Sequence, residues 1–300
     1  MRAAFVTLAI ACVFAAAPWS LAQAPSPAST SAARDSDTPQ KRHVRFSFTL
    51  QNSGAQPIEQ ATFSTYAPVR LTSYQRVESL AASLPAEVQA DALGNQVLQV
   101  RLDTLAPYAA RIITVDAELI VTDKPRALPG SDATAALFTR PERYIESDHP
   151  KLKEIARTLR AESAMATAQN TFTWVRRGLS QTGFTAEDRG ALRALEDKAG
   201  DCTEHAYLFV ALMRANGIPA RALGGYLAAE SGLLRPHDYH NWAEFYADGL
   251  WQLADPHQGN FARNARKYVA TRVLSSLVPS ALGATHRYAA AGPGLRVTMN

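Results

Sequence analysis

The 300-residue sequence has only two cysteines, Cys12 and Cys202. Cys12 lies in a leading apolar run expected to be removed, and one remaining thiol cannot close an internal bridge, so a disulfide framework is excluded. Long apolar runs are missing too. After the leading run no stretch of about 18 apolar residues occurs, which leaves no integral membrane segment in the mature chain. Charge of one sign is not gathered anywhere: the formal net charge is +4, and Lys41-Arg42 and Arg176-Arg177 are isolated pairs. That is a solvated surface, with no nucleic-acid partner expected. There is no EF-hand-like run of calcium ligands and no internal repeat, and no cofactor is expected. What is present is ample core material, with 47% hydrophobic against 19% charged residues.

Met1-Arg2 gives a short positive start, and Ala3 to Ala17 is an apolar run of signal-peptide length followed by small residues. Cleavage is expected after Ala22, with Ala24 the alternative, because Pro25 directly after the second site should hinder the peptidase. The reading is a signal peptide over 1–22 and a periplasmic or secreted protein. A buried N-terminal helix and a lipoprotein starting at Cys12 are the alternatives; "LAIAC" fits the latter poorly. Residues 25–42, "PSPASTSAARDSDTPQKR", have no apolar period and read as part of a disordered linker over 23–42.

From His43 the apolar period is two. Val44, Phe46, Phe48 and Leu50 alternate with polar residues, as do Ile113, Val115, Ala117, Leu119 and Val121. Turn residues in "QNSGAQP" and around Gly94-Asn95 separate such runs, which predicts a small antiparallel β-sandwich over 43–124. A Pro- and Gly-containing linker is expected over 125–149. After Pro150 the period lengthens, with Leu152, Ile155, Ala156 and Leu159 on one helical face. "ATAQNTFTWVRRGL" and "TAEDRGALRALEDKAG" read as two further helices. The segment "AGDCTEHAYLFVALMRANGIP" reads as another, and strands follow in "ARALGGYLA", "YHNWAEFYA" and "LWQLAD". Helices followed by strands predict an α+β domain over 150–275. Residues 276–300, rich in Ala, Gly and Pro, are expected to be an extended tail.

Asp201 and Glu204 have the spacing of a capping box, which puts Cys202 in the first turn of its helix. The positive helix end favours an anion there by about 0.3–1 kcal/mol. Lowering a thiol from its ordinary value by two units is worth roughly 2.7 kcal/mol, so a cationic partner is also needed. His205, on the same helix, is poorly aimed. His240 opens a hairpin with strands 240–246 and 250–255 around Asp248-Gly249. With a two-residue loop Trp242 faces Asp255 and His240 faces His257, so His240 and Asp255 are diagonal neighbours on one face, about 7–8 Å apart at Cα. Asp255 can then accept from the imidazole and steer it toward Cys202. An inert core thiol remains the bland alternative. A zinc site from Cys202, His205, His237 and His240 is the metal alternative, weakened by the opposite strand parity of His237 and His240.

The blocks "GDCTEHAYLFVALMRANGIPARALGGY" and "YHNWAEFYADGLWQLADP" resemble the transglutaminase-like superfamily. The pattern is a G-x-C helix, an R-x-x-G-I-P-A-R turn, an H-x-W-x-E-x-Y strand and a W-x-x-x-D-P strand, ungapped within each block. The stretch before it is similar, more weakly, to the β-rich region preceding this core in exported bacterial members. The resemblance implies a papain-like α+β core with Cys202 as nucleophile, His240 as general base and acid, and Asp255 as its orienting carboxylate. It implies acyl transfer on amide or peptide bonds of a peptide or protein substrate, hydrolytic in the preferred reading. Gln–Lys cross-linking and a non-catalytic envelope binding module are the alternatives. The oxyanion would meet the Cys202 N–H and a side-chain donor, for which Gln169, Asn170 and Trp174 are candidates.

Overall fold

The computed structural model describes residues 38–300 apart from 186, 281 and 284–286. The signal peptide expected over 1–22 and most of the linker expected over 23–42 therefore lie outside the described residues.

Strict alternation makes Gln40–Asn52 (β1) a long strand with Val44, Phe46, Phe48 and Leu50 turned inward. Five more strands follow: β2 (Ala61–Ala67), β3 (Gln75–Ala82), β4 (Ala86–Ala90), β5 (Gln96–Leu102) and β6 (Ala110–Val121). β1 pairs antiparallel with β6, and β6 with β3; β2 pairs with β5, and β5 with β4. The inward faces of these two sheets share one apolar core, in which Phe48 packs against Phe63. β1 and β6 bury one face each, as antiparallel layers do, whereas β2 is buried along almost its whole length and β4 is exposed.

Helices then cover a third, five-stranded sheet. They are α1 (Ser131–Leu137), α2 (Pro150–Leu159), α3 (Ala164–Gly178), α4 (Ala191–Asp197) and α5 (Cys202–Ala215). A two-residue pair, β7 (Ser180–Gln181) with β8 (Ala199–Gly200), runs in parallel just before α5. The sheet itself uses β9 (Ala220–Leu227), β11 (Tyr239–Ala247), β12 (Leu250–Asp255), β13 (Asn260–Phe261) and β14 (Tyr268–Leu274), ordered β13-β12-β11-β9-β14. A short β10 (Gly232–Leu233) joins β1. α5 lies across the sheet: Leu208, Phe209, Leu212 and Met213 are buried with Ala222, Ala243, Phe245 and Ala254. Small residues on β9 and β11 let the helix come close. Gly225 serves the strand pairing instead: a Cβ there would stand 2.1 Å from the Val269 carbonyl oxygen on the neighbouring β14.

Three expectations need correcting. The linker over 125–149 contains α1, and Phe138 and Ile145 are buried. Its Ala-rich helix carries too weak an apolar face to be read from sequence. The helix expected over 185–200 is confined to α4, because Gly190 has φ 89° and Arg189 is held by Glu204. The tail over 276–300 forms two strands, β15 (Tyr288–Ala291) on β2 and β16 (Leu295–Met299) on β1. Their partners lie more than 200 residues upstream, so no local pattern marks them. The described residues form one compact unit, with the two N-terminal sheets completed by chain from beyond the helices. No helix among the described residues is long and apolar enough to cross a membrane.

Candidate active site

The start of α5 is fixed before Cys202 is considered. Asp201 is its N-cap, accepting from the Thr203 N–H at 2.8 Å, while Glu204 accepts from the Asp201 N–H at 3.1 Å. The other Asp201 oxygen accepts from the Thr185 N–H at 3.0 Å. Burial opposes the Asp201 charge, but these backbone donors win and hold the carboxyl below its usual range. Gly200 is required here: a Cβ would lie 2.4 Å from the Glu204 Cβ and block the return of the capping side chain. Cys202 is thus the first helical residue, half-buried and free of any disulfide. Its N–H is among the donors that a helix start leaves uncommitted.

The hairpin has the register derived from its turn. Asp248 and Gly249 both take positive φ, 53° and 79°, as a two-residue type I′ loop demands. Ala243 pairs with Ala254 and Ala247 with Leu250, which sets Trp242 opposite Asp255 and His240 two positions away on the same face. His240 Nε2 lies 2.7 Å from Asp255 Oδ2, and both side chains are buried. Cys202 is close enough to His240 to bias its protonation. With Nε2 committed to Asp255, Nδ1 is the nitrogen left for the sulfur. Burial works against the imidazolium, but the hydrogen bond to Asp255, the nearby Cys202 side chain and the negative charge of both outweigh it, and raise the pKa to about 9.

Asp255 is completely buried, yet its carboxyl is held below the usual range. Desolvation is opposed by His240, by the Gln258 N–H on Oδ1 at 3.0 Å, and by the Tyr268 hydroxyl on Oδ2 at 2.8 Å. Asn260 Nδ2 donates to that hydroxyl at 3.2 Å. Asn241, beside His240, ties β11 to the helix start through Nδ2 to Thr203 Oγ1 at 2.8 Å. Tyr268, Asn260 and Asn241 escape sequence reasoning because no motif spacing marks them.

The remaining histidines divide. His205 Nδ1 is taken by the Asp201 carbonyl at 2.8 Å, and burial lowers its pKa. His257 packs against both rings, edge-on to His205 with centroids 5.1 Å apart and tilted to His240 with centroids 5.5 Å apart. Burial, then repulsion from His240 and His205, pulls its pKa down to about 4. His237 is exposed in a short turn beside Asp238, away from this group. Among the described residues no three His, Cys, Asp or Glu side chains gather as a metal site. The expected oxyanion donors are engaged elsewhere: Gln169 reaches Thr173 at 3.4 Å, Asn170 reaches the Leu159 carbonyl at 3.2 Å, and Trp174 packs on the core. An amide not foreseen, Gln181 on β7, bonds the His257 carbonyl at 2.7 Å and bridges to the loop after Asp255. A cavity of about 290 Å³ is lined by Tyr144, Asp188, Tyr207, Arg272 and Leu274, but by none of Cys202, His240 and Asp255.

The other motif residues brace the sheet. Glu244 accepts from Arg221 Nε and Nη2 at 2.9 and 2.6 Å, and the Arg221 guanidinium lies 4.1 Å from the Trp251 ring centroid. The turn arginine, the strand glutamate and the hairpin tryptophan therefore form one buried unit.

Asp255→Asn is expected to move the alkaline limb of the pH profile for thiol alkylation. Asp255 raises the His240 pKa, so its neutralisation lowers it, and the limb near pH 9 should fall by about 1–2 units. An unmoved limb would show that Asp255 does not set the imidazole.

A helix-borne thiol facing an imidazole and carboxylate on an antiparallel sheet defines a class of domain. Residues 153–256 match the family model of the transglutaminase-like superfamily, so this chain carries a transglutaminase-like domain. The fold as a whole resembles a candidate cysteine protease from Cytophaga hutchinsonii at TM-score 0.61 and 19% identity, covering 88% of this chain and 91% of that one. The periplasmic domain of TgpA from Pseudomonas aeruginosa aligns at TM-score 0.37 and 16% identity over 71% of this chain and 88% of that one. Red sea bream transglutaminase aligns at TM-score 0.29 and 14% identity over 72% and 49%. No curated protein matches the sequence.

Proposed function

We propose that this protein is an exported thiol-dependent acyl-transfer enzyme that hydrolyses amide or peptide bonds, with Cys202, His240 and Asp255 as its triad. The observation that carries the reading is a single imidazole bonded to a buried carboxylate and set beside a half-buried thiol at a helix start. The Cys202 sulfur attacks the carbonyl carbon, and the oxyanion that forms meets the Cys202 N–H. As the C–N bond breaks, its electron pair stays on nitrogen and His240 Nδ1 supplies the proton, leaving a thioester on Cys202. His240 then takes a proton from water, the hydroxide adds to the thioester, and the acid is released with the thiol restored. Hydrolysis is favoured because Cys202 is only partly buried, so that water, the most abundant acceptor, can reach it. Export rests on the leading apolar stretch of the sequence.

The test is to incubate the purified chain with a peptide mixture and an added primary amine, and to follow products by mass spectrometry. New N-termini or released ammonia are expected. Amine incorporation in their place would make the enzyme a transamidase. No labelling of Cys202 by a thiol-directed electrophile, with no product of either kind, would overturn the enzyme reading.

A further inference from the structure

The geometry points to Tyr268 as a positioning residue that weakens the hold of Asp255 on the His240 imidazolium by donating its proton to the same carboxylate oxygen. The inference rests on the triad reading above. Both bonds end on Oδ2, His240 at 2.7 Å and Tyr268 at 2.8 Å. The direction of the phenol proton is fixed. A carboxylate can only accept, so Tyr268 donates to it, and Asn260 must then present its amide N–H to the phenol oxygen. Asn260 is buried and pairs across from Asp255 between β13 and β12, so the relay is anchored in the sheet. The Tyr268 ring is held against Trp242, with centroids 5.0 Å apart.

The consequence follows from sharing one acceptor. Charge drawn from Oδ2 by the phenol is charge not available to Nε2–H. An imidazolium gripped less tightly is a stronger acid, which suits the step in which the departing amine must be protonated. Other groups around His240 act in parallel and are left in place by the test. These are Cys202 and His205 on α5, His257 in the loop after β12, and Asp201 behind them. The Lys267 ammonium lies 5.3 Å from the Tyr268 ring centroid.

The experiment is an NMR titration of the His240 imidazole in a Cys202→Ala background, so that no thiol titrates beside it. Tyr268→Phe is expected to raise the His240 midpoint by about half a pH unit or more. In the Cys202 enzyme the same substitution should slow kcat about three- to tenfold on an amide, with KM unchanged. It should leave an activated ester, whose leaving group needs no proton, nearly unaffected. An unchanged or lowered midpoint overturns the proposal, as does an equal loss on amide and ester. If Tyr268→Phe does not fold, Asn260→Ala must give a smaller upward shift, and none there overturns the proposal. The titration needs no turnover. Absent hydrolysis by the wild type would therefore sink the proposed function and still leave the relay measurable.

Discussion

Replacing Cys202 with alanine is expected to lower kcat/KM for the hydrolysed amide by about 10⁴-fold or more, to the background of the assay. Cys202 supplies the atom that forms the covalent bond, and among the described residues it is the sole thiol, so no neighbour can take over. The fold should hardly notice. The start of α5 is capped by Asp201 and Glu204, not by the thiol, and Cys202 bridges no other cysteine. The unfolding temperature should stay within about 3 °C. His240→Ala should cost nearly as much activity, and the double variant should be no worse than either single one, because thiol and imidazole act as a unit. Appreciable turnover by Cys202→Ala, read against a labelled wild-type control, would move the chemistry to other residues.

What could be read from the sequence depended on whether the information was local. The Asp248-Gly249 turn dictates a two-residue loop, and that loop fixes which residue faces which for the length of the hairpin. The relation of His240 to Asp255, fifteen residues apart, therefore follows from the turn and parity alone. The capping box around Cys202 is equally local, with Asp201 and Glu204 three residues apart. Tyr268 is different. It reaches Asp255 because β14 pairs with β9, which pairs with β11, which pairs with β12. All seven residues of β14 are buried, so no alternation betrays which face each one serves. Sequence distance hides β15 and β16, whose partners are the first two strands. The candidate oxyanion donors illustrate the opposite error. Gln169 and Asn170 have suitable chemistry on a correctly expected helix, yet they lie on its exposed face, and periodicity alone does not say how that helix is rotated toward Cys202.

The largest loss of stability is expected far from the chemistry, at Arg214. Its side chain is fully buried at the end of α5, with Nε on the Ala220 carbonyl and Nη1 on the Arg140 carbonyl and on Glu142 Oε1, each at 2.7 Å. Glu142 in turn accepts from Ser275 Oγ at 2.9 Å, just past β14. One ion pair thus clamps α5, the start of β9, the 140–146 segment and the end of the sheet. Arg214→Ala would leave the Glu142 carboxylate buried without its counter-charge, which costs about 3–5 kcal/mol. For a chain of this size that is a fall in unfolding temperature of roughly 6–20 °C. Arg214→Met combined with Glu142→Gln should recover a good part of the loss, because the penalty comes from the stranded charge and not from the missing attraction. Activity gives an independent control. Arg214 is twelve residues along the helix from Cys202, about 18 Å, so kcat/KM well below the transition should change little. A thermally unaltered Arg214→Ala would mean that the pair contributes nothing to stability. A folded variant with lost turnover would mean that the far end of α5 governs the orientation of its first turn.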